Sequence, residues 1–188
     1  MSRTPIKIFR TDNGPCPYLK KGENWQNISF QTSKLPPDGY TSLLNQGFRR
    51  SGLTIYHPVC SSCKECIPIR IDVLNFFKKT RGSAVHGEKT MISVLNIIRP
   101  NLSREILLFI VVISMSGKKT DFWVKEDEYL DFLIDSPVPT EILRYYLGEK
   151  LIGLGWVDRL PELLSSVFFV FDPDYFSQKG TGSFFSSL

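Results

Sequence analysis

The chain has 188 residues, 42% of them hydrophobic and 22% charged, with a formal net charge of +4. That length suffices for one good core or two small lobes sharing an interface, and the composition is that of a globular protein. The most apolar stretch, "REILLFIVVISMSG", falls short of the roughly 20 apolar residues of a membrane span, which excludes that class.

The opening "MSRTPIKIFRTDNG" alternates, carries charge and lacks the apolar block of a signal peptide, so a cytoplasmic protein is expected. Ile6 to Phe9 reads as a short strand, and "TDNGPCPYL", with Gly14, Pro15 and Pro17, as a turn. "NWQNISFQT" alternates like a strand. "DGYTSLLNQGF" reads as a helix: Tyr40, Leu43 and Leu44 fall at helical spacing, Asp38 is placed to cap it and Gly47 to stop it. "LTIYHPV" and "CIPIRIDVLNF" read as strands, the second with Ile67, Ile69, Ile71 and Val73 on one face and Arg70 and Asp72 on the other. From Gly82 to Lys119 the chain is apolar without a clean helical or strand period. "DEYLDFLIDS" is helical, and "EILRYYL", "LIGLGWVDRL" and "LSSVFFVFDPD" form an antiparallel meander.

Charge is distributed unevenly. "FRRSG" and "FFKKTRG" are basic beside aromatics, whereas "KEDEYLDFLIDS" is acidic. A mildly basic chain fits contact with nucleic acid without requiring it. Cys60, Cys63 and Cys66 follow one another at steps of three, and Cys16 lies upstream. In a cytoplasmic chain this is not a disulfide framework. Four thiolates can hold zinc or an iron–sulfur centre, but a zinc ribbon uses two separate knuckles and here both share Cys63. Plain buried or redox-sensitive thiols are the other reading, and both stay open.

The run Cys16-Pro-Tyr18-Leu19, the segment Gly47-Phe48-Arg49-Arg50-Ser51-Gly52, then Tyr56, Pro58, the cysteine series, Pro68 and Arg70 resemble the bacterial aspartate/glutamate leucyltransferases, relatives of the eukaryotic arginyl-tRNA–protein transferases. The later stretches "YLDFL", "GEKLIGLGWVDRLPELLSSVFFVFDPD" and "KGT" agree independently. The resemblance implies an α+β fold. It pairs a small N-terminal α/β lobe (1–82) with a GNAT-like acyltransferase domain (120–188), whose sheet is mixed and partly antiparallel. It implies transfer of leucine from leucyl-tRNA to the N-terminal amine of proteins beginning with Asp or Glu, which marks them for degradation. Leu19, where the eukaryotic relatives carry a second cysteine, favours leucyl over arginyl transfer. The resemblance fails in 83–119, where the family's arginine-rich helical words are absent; a compensated frameshift over about Gly82 to Lys119 is one reading and genuine divergence the other. The family also continues past the "GT" point, so an incomplete C-terminal domain is expected.

An aminoacyl ester needs little activation, and about a tenth of an α-amine with a pKa near ~8 is neutral at pH 7. Positioning and a general base would supply the acceleration. Asp158, in "WVDRLP", is the expected catalytic carboxylate, its other reading being a turn cap. Arg49, Arg50 and Arg70 are candidates for the acceptor's carboxylate, because a guanidinium fork grips it with two hydrogen bonds. Arg49, Arg50, Lys78, Lys79 and Arg81 supply charge for tRNA phosphates, Tyr18, Phe48 and Tyr56 could stack its unpaired adenosine, and Ser51 completes the expected substrate-binding set. With only His57 and His86 available, no Ser/His/Asp set and no covalent intermediate is expected. Cys16, Cys60, Cys63 and Cys66 would be the ligands of an iron–sulfur cluster or zinc ion, though the reaction requires no cofactor. The rival readings are a non-enzymatic metal- and RNA-binding module and an inactive degenerate relative.

Overall fold

Two antiparallel sheets carry the chain. The computed structural model describes residues 6–16, 18–19, 24–75, 92–98, 106, 109–110 and 130–175. Strands β1 (Phe9–Pro15), β2 (Asn24–Gln31), β3 (Arg49–Ser51) and β4 (Thr54–Pro58) form a sheet in the order β1-β2-β4-β3. Strands β5 (Ile92–Ile98), β6 (Thr140–Leu147), β7 (Lys150–Arg159) and β8 (Leu164–Phe171) form a second in the order β5-β6-β7-β8. Helix α1 (Pro37–Asn45) connects β2 to β3. The class is α+β, as expected, but the second sheet is antiparallel throughout the described residues rather than mixed.

Helix α1 buries Tyr40 completely and leans Leu43 and Leu44 on the same cluster, which contains Phe30, Ile55, Val138 and Leu160. This cluster joins the first sheet to the segments that flank the strands of the second. The N-cap is Pro36, not Asp38, which lies in the first turn and makes no capping bond. The expected stop at Gly47 is present and has a physical cause. Gly47 has φ +85°, and the N–H groups of Gly47 and Phe48 bond the carbonyls of Leu44 and Leu43, both at 3.0 Å. That double closure satisfies the helix's last carbonyls, and a residue without Cβ adopts it at least cost.

The meander is as expected. A two-residue turn at Gly148 joins β6 to β7, and Pro161–Glu162 joins β7 to β8. Strand β7 is buried along nearly its whole length. Its Gly155 leaves room for the rings of Tyr145 and Phe169, which meet edge to face at 5.5 Å over it. Ile142, Leu154, Trp156 and Val170 build the core of this sheet together with Ile106, Ile110 and Leu133.

Three expectations change. "TDNGPCPYL" is not a plain turn: much of it belongs to β1, where Asp12 Oδ1 accepts the Gly14 N–H (3.0 Å) and a bulge between Asp12 and Pro15 absorbs the glycine. The described part of "CIPIRIDVLNF", residues 66–75, is not a strand and is helical at 73–75. It makes no ladder, and Ile67, Ile69, Ile71, Val73 and Leu74 are exposed, because alternation marks a strand only where a sheet edge exists to receive it. The unpatterned stretch contributes β5, paired with β6, and helical residues Ile106 and Ile110, both buried. The frameshift reading otherwise lies outside the described residues, as do Lys78, Lys79, Arg81 and His86. Of "DEYLDFLIDS", the described part is one π-helical turn at Leu130–Ile134. No helix among the described residues is long and apolar enough to cross a membrane.

That π-helical turn is wedged against the β3–β4 hairpin. Gly52, at φ +56°, donates its N–H to the Phe132 carbonyl at 3.3 Å, and a Cβ there would run into the Asp131 carbonyl. Gly52→Ala combines left-handed strain with a backbone clash, so a loss of about 3 kcal/mol and a melting point lower by roughly 6–12 °C are expected in a thermal scan.

Candidate active-site cleft

Strand β3 separates the two adjacent arginines. Side chains alternate along a strand, so Arg49 is exposed and Arg50 is buried. Across the β3–β4 hairpin, Arg49 pairs with Tyr56 and Arg50 with Ile55. Arg50 enters the second half of the chain and meets Asp158 on β7. Its Nε donates to Asp158 Oδ2 at 2.7 Å and its Nη2 to Oδ1 at 2.6 Å. Both side chains are almost wholly removed from solvent, at 1% and 0%. The Thr140 hydroxyl donates to Oδ1 (2.7 Å) and accepts from Arg50 Nη2 (3.0 Å), and the Tyr40 hydroxyl donates to Oδ2 (3.1 Å). Burial raises the Tyr40 phenol well above its ordinary range and the adjoining Asp158 carboxylate raises it further, so Tyr40 stays a neutral donor.

Asp158 therefore accepts four hydrogen bonds and touches no solvent. The base role expected for it is at odds with this. A proton arriving there would have to displace the guanidinium, leaving an uncompensated charge inside the protein. Its arrangement is that of a positioning residue.

Beside this network lies a cleft lined by Tyr40, Arg49, Arg50, Tyr56, Ser165, Ser166 and Val167. The floor is polar but internally satisfied; the walls are not. Among the described residues, Arg49, Tyr56 and Ser166 have no side-chain hydrogen-bond partner, whereas the Ser165 hydroxyl bonds the Tyr40 phenol. Tyr56 is half-buried, and burial raises its phenol while the Arg49 cation draws it back. A guanidinium and two hydroxyls open to one small cleft suit an anion with two oxygens.

The other expected site residues are dispersed. Arg70 Nη2 donates to the Leu44 carbonyl at 3.0 Å, at the C-terminal end of α1, where a cation also complements the helix dipole. Ser51 pairs with Thr54 in the hairpin. Phe48 packs under the first core and on the His57 ring, with centroids 5.1 Å apart. Tyr18 is 77% exposed and near enough to Tyr56 to bear on its ionisation. Burial pushes the Cys66 thiol up, and Cys60, Cys63 and Cys16 add to this, so the thiols occupy one neighbourhood. Cys60 Sγ accepts the Gln26 N–H at 3.5 Å. No three His, Cys, Asp or Glu side chains among the described residues converge into a set able to hold a metal ion.

Tyr40, Thr140 and Ser165 carry the geometry and were not singled out as functional by sequence. The signal that finds two of them is register: Thr140 and Ser165 are the cross-strand neighbours of Asp158 on either side. Arg50→Met alone strands the carboxylate, and a loss of about 3–5 kcal/mol is expected in urea unfolding. Arg50→Met with Asp158→Leu should recover part of that loss, giving a non-additive double-mutant cycle.

Both halves of the chain match known proteins. Residues 14–82 match the family model "Arginine-tRNA-protein transferase, N terminus", and residues 109–187 match its C-terminal counterpart. An aspartate/glutamate leucyltransferase of Vibrio campbellii is 32% identical over 184 residues, covering 94% of this chain and 76% of the relative. Those of Vibrio vulnificus (strain YJ016) and Saccharophagus degradans are 29% and 30% identical, covering 94% and 90% of this chain and 76% and 72% of theirs. With both halves matched in order and the Arg50–Asp158 pair tying one half to the other, the chain belongs to the arginine-tRNA–protein transferase family, alongside the aspartate/glutamate leucyltransferases.

Proposed function

We propose that this chain is an aminoacyltransferase that moves leucine from leucyl-tRNA to the α-amine of proteins beginning with Asp or Glu, marking them for N-degron degradation in the cytoplasm. The observation that carries the reading is the cleft in which the exposed Arg49 guanidinium stands beside partnerless hydroxyls. Arg49 takes the acceptor's acidic side chain in a bidentate grip, and the Arg50–Asp158–Thr140–Tyr40 network holds β3 so that Arg49 faces β8. The exposed Tyr18 ring and its neighbour Tyr56 offer a stacking surface for the unpaired terminal adenosine of the donor. The meander β6–β7–β8 is compatible with a GNAT-type acyltransferase sheet, and we assign it that ancestry. No resident cofactor takes part in this scheme.

The chemistry asks little of the protein beyond placement. The ester carbonyl is attacked by the neutral amine, the C–N bond forms as the C–O bond to the ribose breaks, and the amine proton leaves with the ribose oxygen or water. Bringing ester and amine together supplies up to roughly 7–11 kcal/mol of the barrier lowering. A metal- and RNA-binding module without turnover is the weaker reading, since both family models belong to a transferase.

With charged tRNA and a peptide beginning with Asp, leucine should be transferred and arginine should not; the reverse overturns the donor assignment. Arg49→Ala should lower kcat/KM for the acceptor by about 10–100-fold, with Arg49→Lys intermediate. Because the neutral amine is the nucleophile and is lost as pH falls, kcat/KM should rise about tenfold per pH unit below ~8 and then level. The midpoint should move with the pKa of the peptide's own amine when that is changed, which a base on the enzyme would not allow.

A further inference from the structure

Strand β2 carries two polar atoms that the fold does not use. Asn27 is 6% exposed, and its Oδ1 is buried with no hydrogen-bond partner among the described residues. Trp25, half-buried and two residues earlier, leaves its indole Nε1 buried and unbonded in the same way. Residues two apart on a strand share a face, so an acceptor and a donor stand side by side. Burying such groups unpaired is costly, and an unpaired one in a native structure calls for an explanation.

Their face of the sheet leads to the cleft. Asn27 stands opposite Pro58 on β4, and Ser29 stands opposite Tyr56, which is itself opposite Arg49. Tyr56 is thus the diagonal neighbour of Asn27, about 7–8 Å away and within reach of an aromatic side chain. The amide lies between two half-buried rings, Trp25 and Tyr56, with the exposed Arg49 one strand further out.

We infer that Asn27 and Trp25 read the unpaired terminal base of the donor RNA as adenine, the Asn27 Oδ1 accepting from its exocyclic amino group and the Trp25 indole N–H donating to the ring nitrogen beside it. This rests on reading the chain as one that takes a charged tRNA. Adenine offers a donor next to an acceptor, whereas guanine turns an oxygen to the place where Asn27 needs a donor. The flanking rings suit a flat base, and the Arg49 cation suits the phosphate that follows it. A peptide is the poorer fit. β2 is an interior strand whose ladder is taken by β1 and β4, so no further backbone can pair with it. The Asn27 oxygen has no open surface, so the base enters as a flanking ring turns aside.

The test uses the full chain and labelled, uncharged leucine tRNA ending in adenosine or in purine riboside, which lacks the amino group. Binding is read by fluorescence anisotropy, and leucyl transfer from charged tRNA is read separately. The wild type should bind the adenosine ending about tenfold more tightly. Asn27→Ala should erase that preference by weakening the adenosine ending alone. Its melting point should be unchanged or higher, because the lost amide oxygen bonds nothing in the fold. Trp25→Phe keeps a ring and loses the N–H, so both endings should weaken by about fivefold. A wild type without the preference, or a preference that survives Asn27→Ala, overturns the inference. So does a loss in Asn27→Ala that is equal for both endings or that follows the melting point. Weakened binding of a peptide beginning with Asp, with tRNA binding intact, overturns it and assigns the face to the peptide. Loss of the preference in Asn27→Ala, where the wild type transfers no leucine, supports the inference and removes the leucyltransferase reading instead. Leucine transfer by the wild type with the preference intact in Asn27→Ala does the opposite.

Discussion

A buried ion pair, Arg50–Asp158, holds this protein's two halves in register with one another. Arg50 comes from a strand of three residues at the edge of the first sheet, and Asp158 from the buried strand β7 of the second. Taking both charges out of water is costly, and the cost is offset only when geometry is good and the remaining lone pairs are filled. Thr140 and Tyr40 complete that requirement, one from the second sheet and one from the helix preceding β3. The pair therefore demands that helix, hairpin and meander be in place together. It acts more as a constraint on arrangement than as a source of net stability.

The constraint has a consequence for chemistry. Once Arg50 is pinned inward, strand alternation turns Arg49 outward, and the hairpin carries Tyr56 with it. Pinning also fixes the distance from this edge to β8, whose serines form the opposite wall of the cleft. Two adjacent arginines thus differ: one is consumed in the buried ion pair, the other is left exposed on the cleft wall. Gly52 reinforces the arrangement from outside, because the π-helical turn closes against the bare backbone of the hairpin.

The segment after β4 follows a different rule. Cys60, Cys63 and Cys66 gather near Cys16 without forming a ligand set, and the chain then runs irregularly with its isoleucines exposed. Arg70 is its anchor, docked on the last turn of α1. Hydrophobic alternation here reflects residue type without a partner edge, and it predicts no strand by itself.

The sequence by itself determined the helix at Tyr40–Leu44 with its stop at Gly47, the three strands of the meander, and membership of the family, because each depends on periodicity, turn residues or contiguous motif words. It also placed Arg49 and Arg50 on opposite faces once they lay on a strand. Only the tertiary structure decided which arginine is buried, that Asp158 is saturated, and that Thr140 and Ser165 flank it. The physical reason is register. The tight turn pairs Leu147 with Lys150, and an unbroken ladder from there would set Thr140 opposite Val157; the bulge at Tyr145–Tyr146 slips it by one residue onto Asp158. A slip of one residue moves a side chain to the other face of a sheet, and no local pattern in the chain records where the slip occurs.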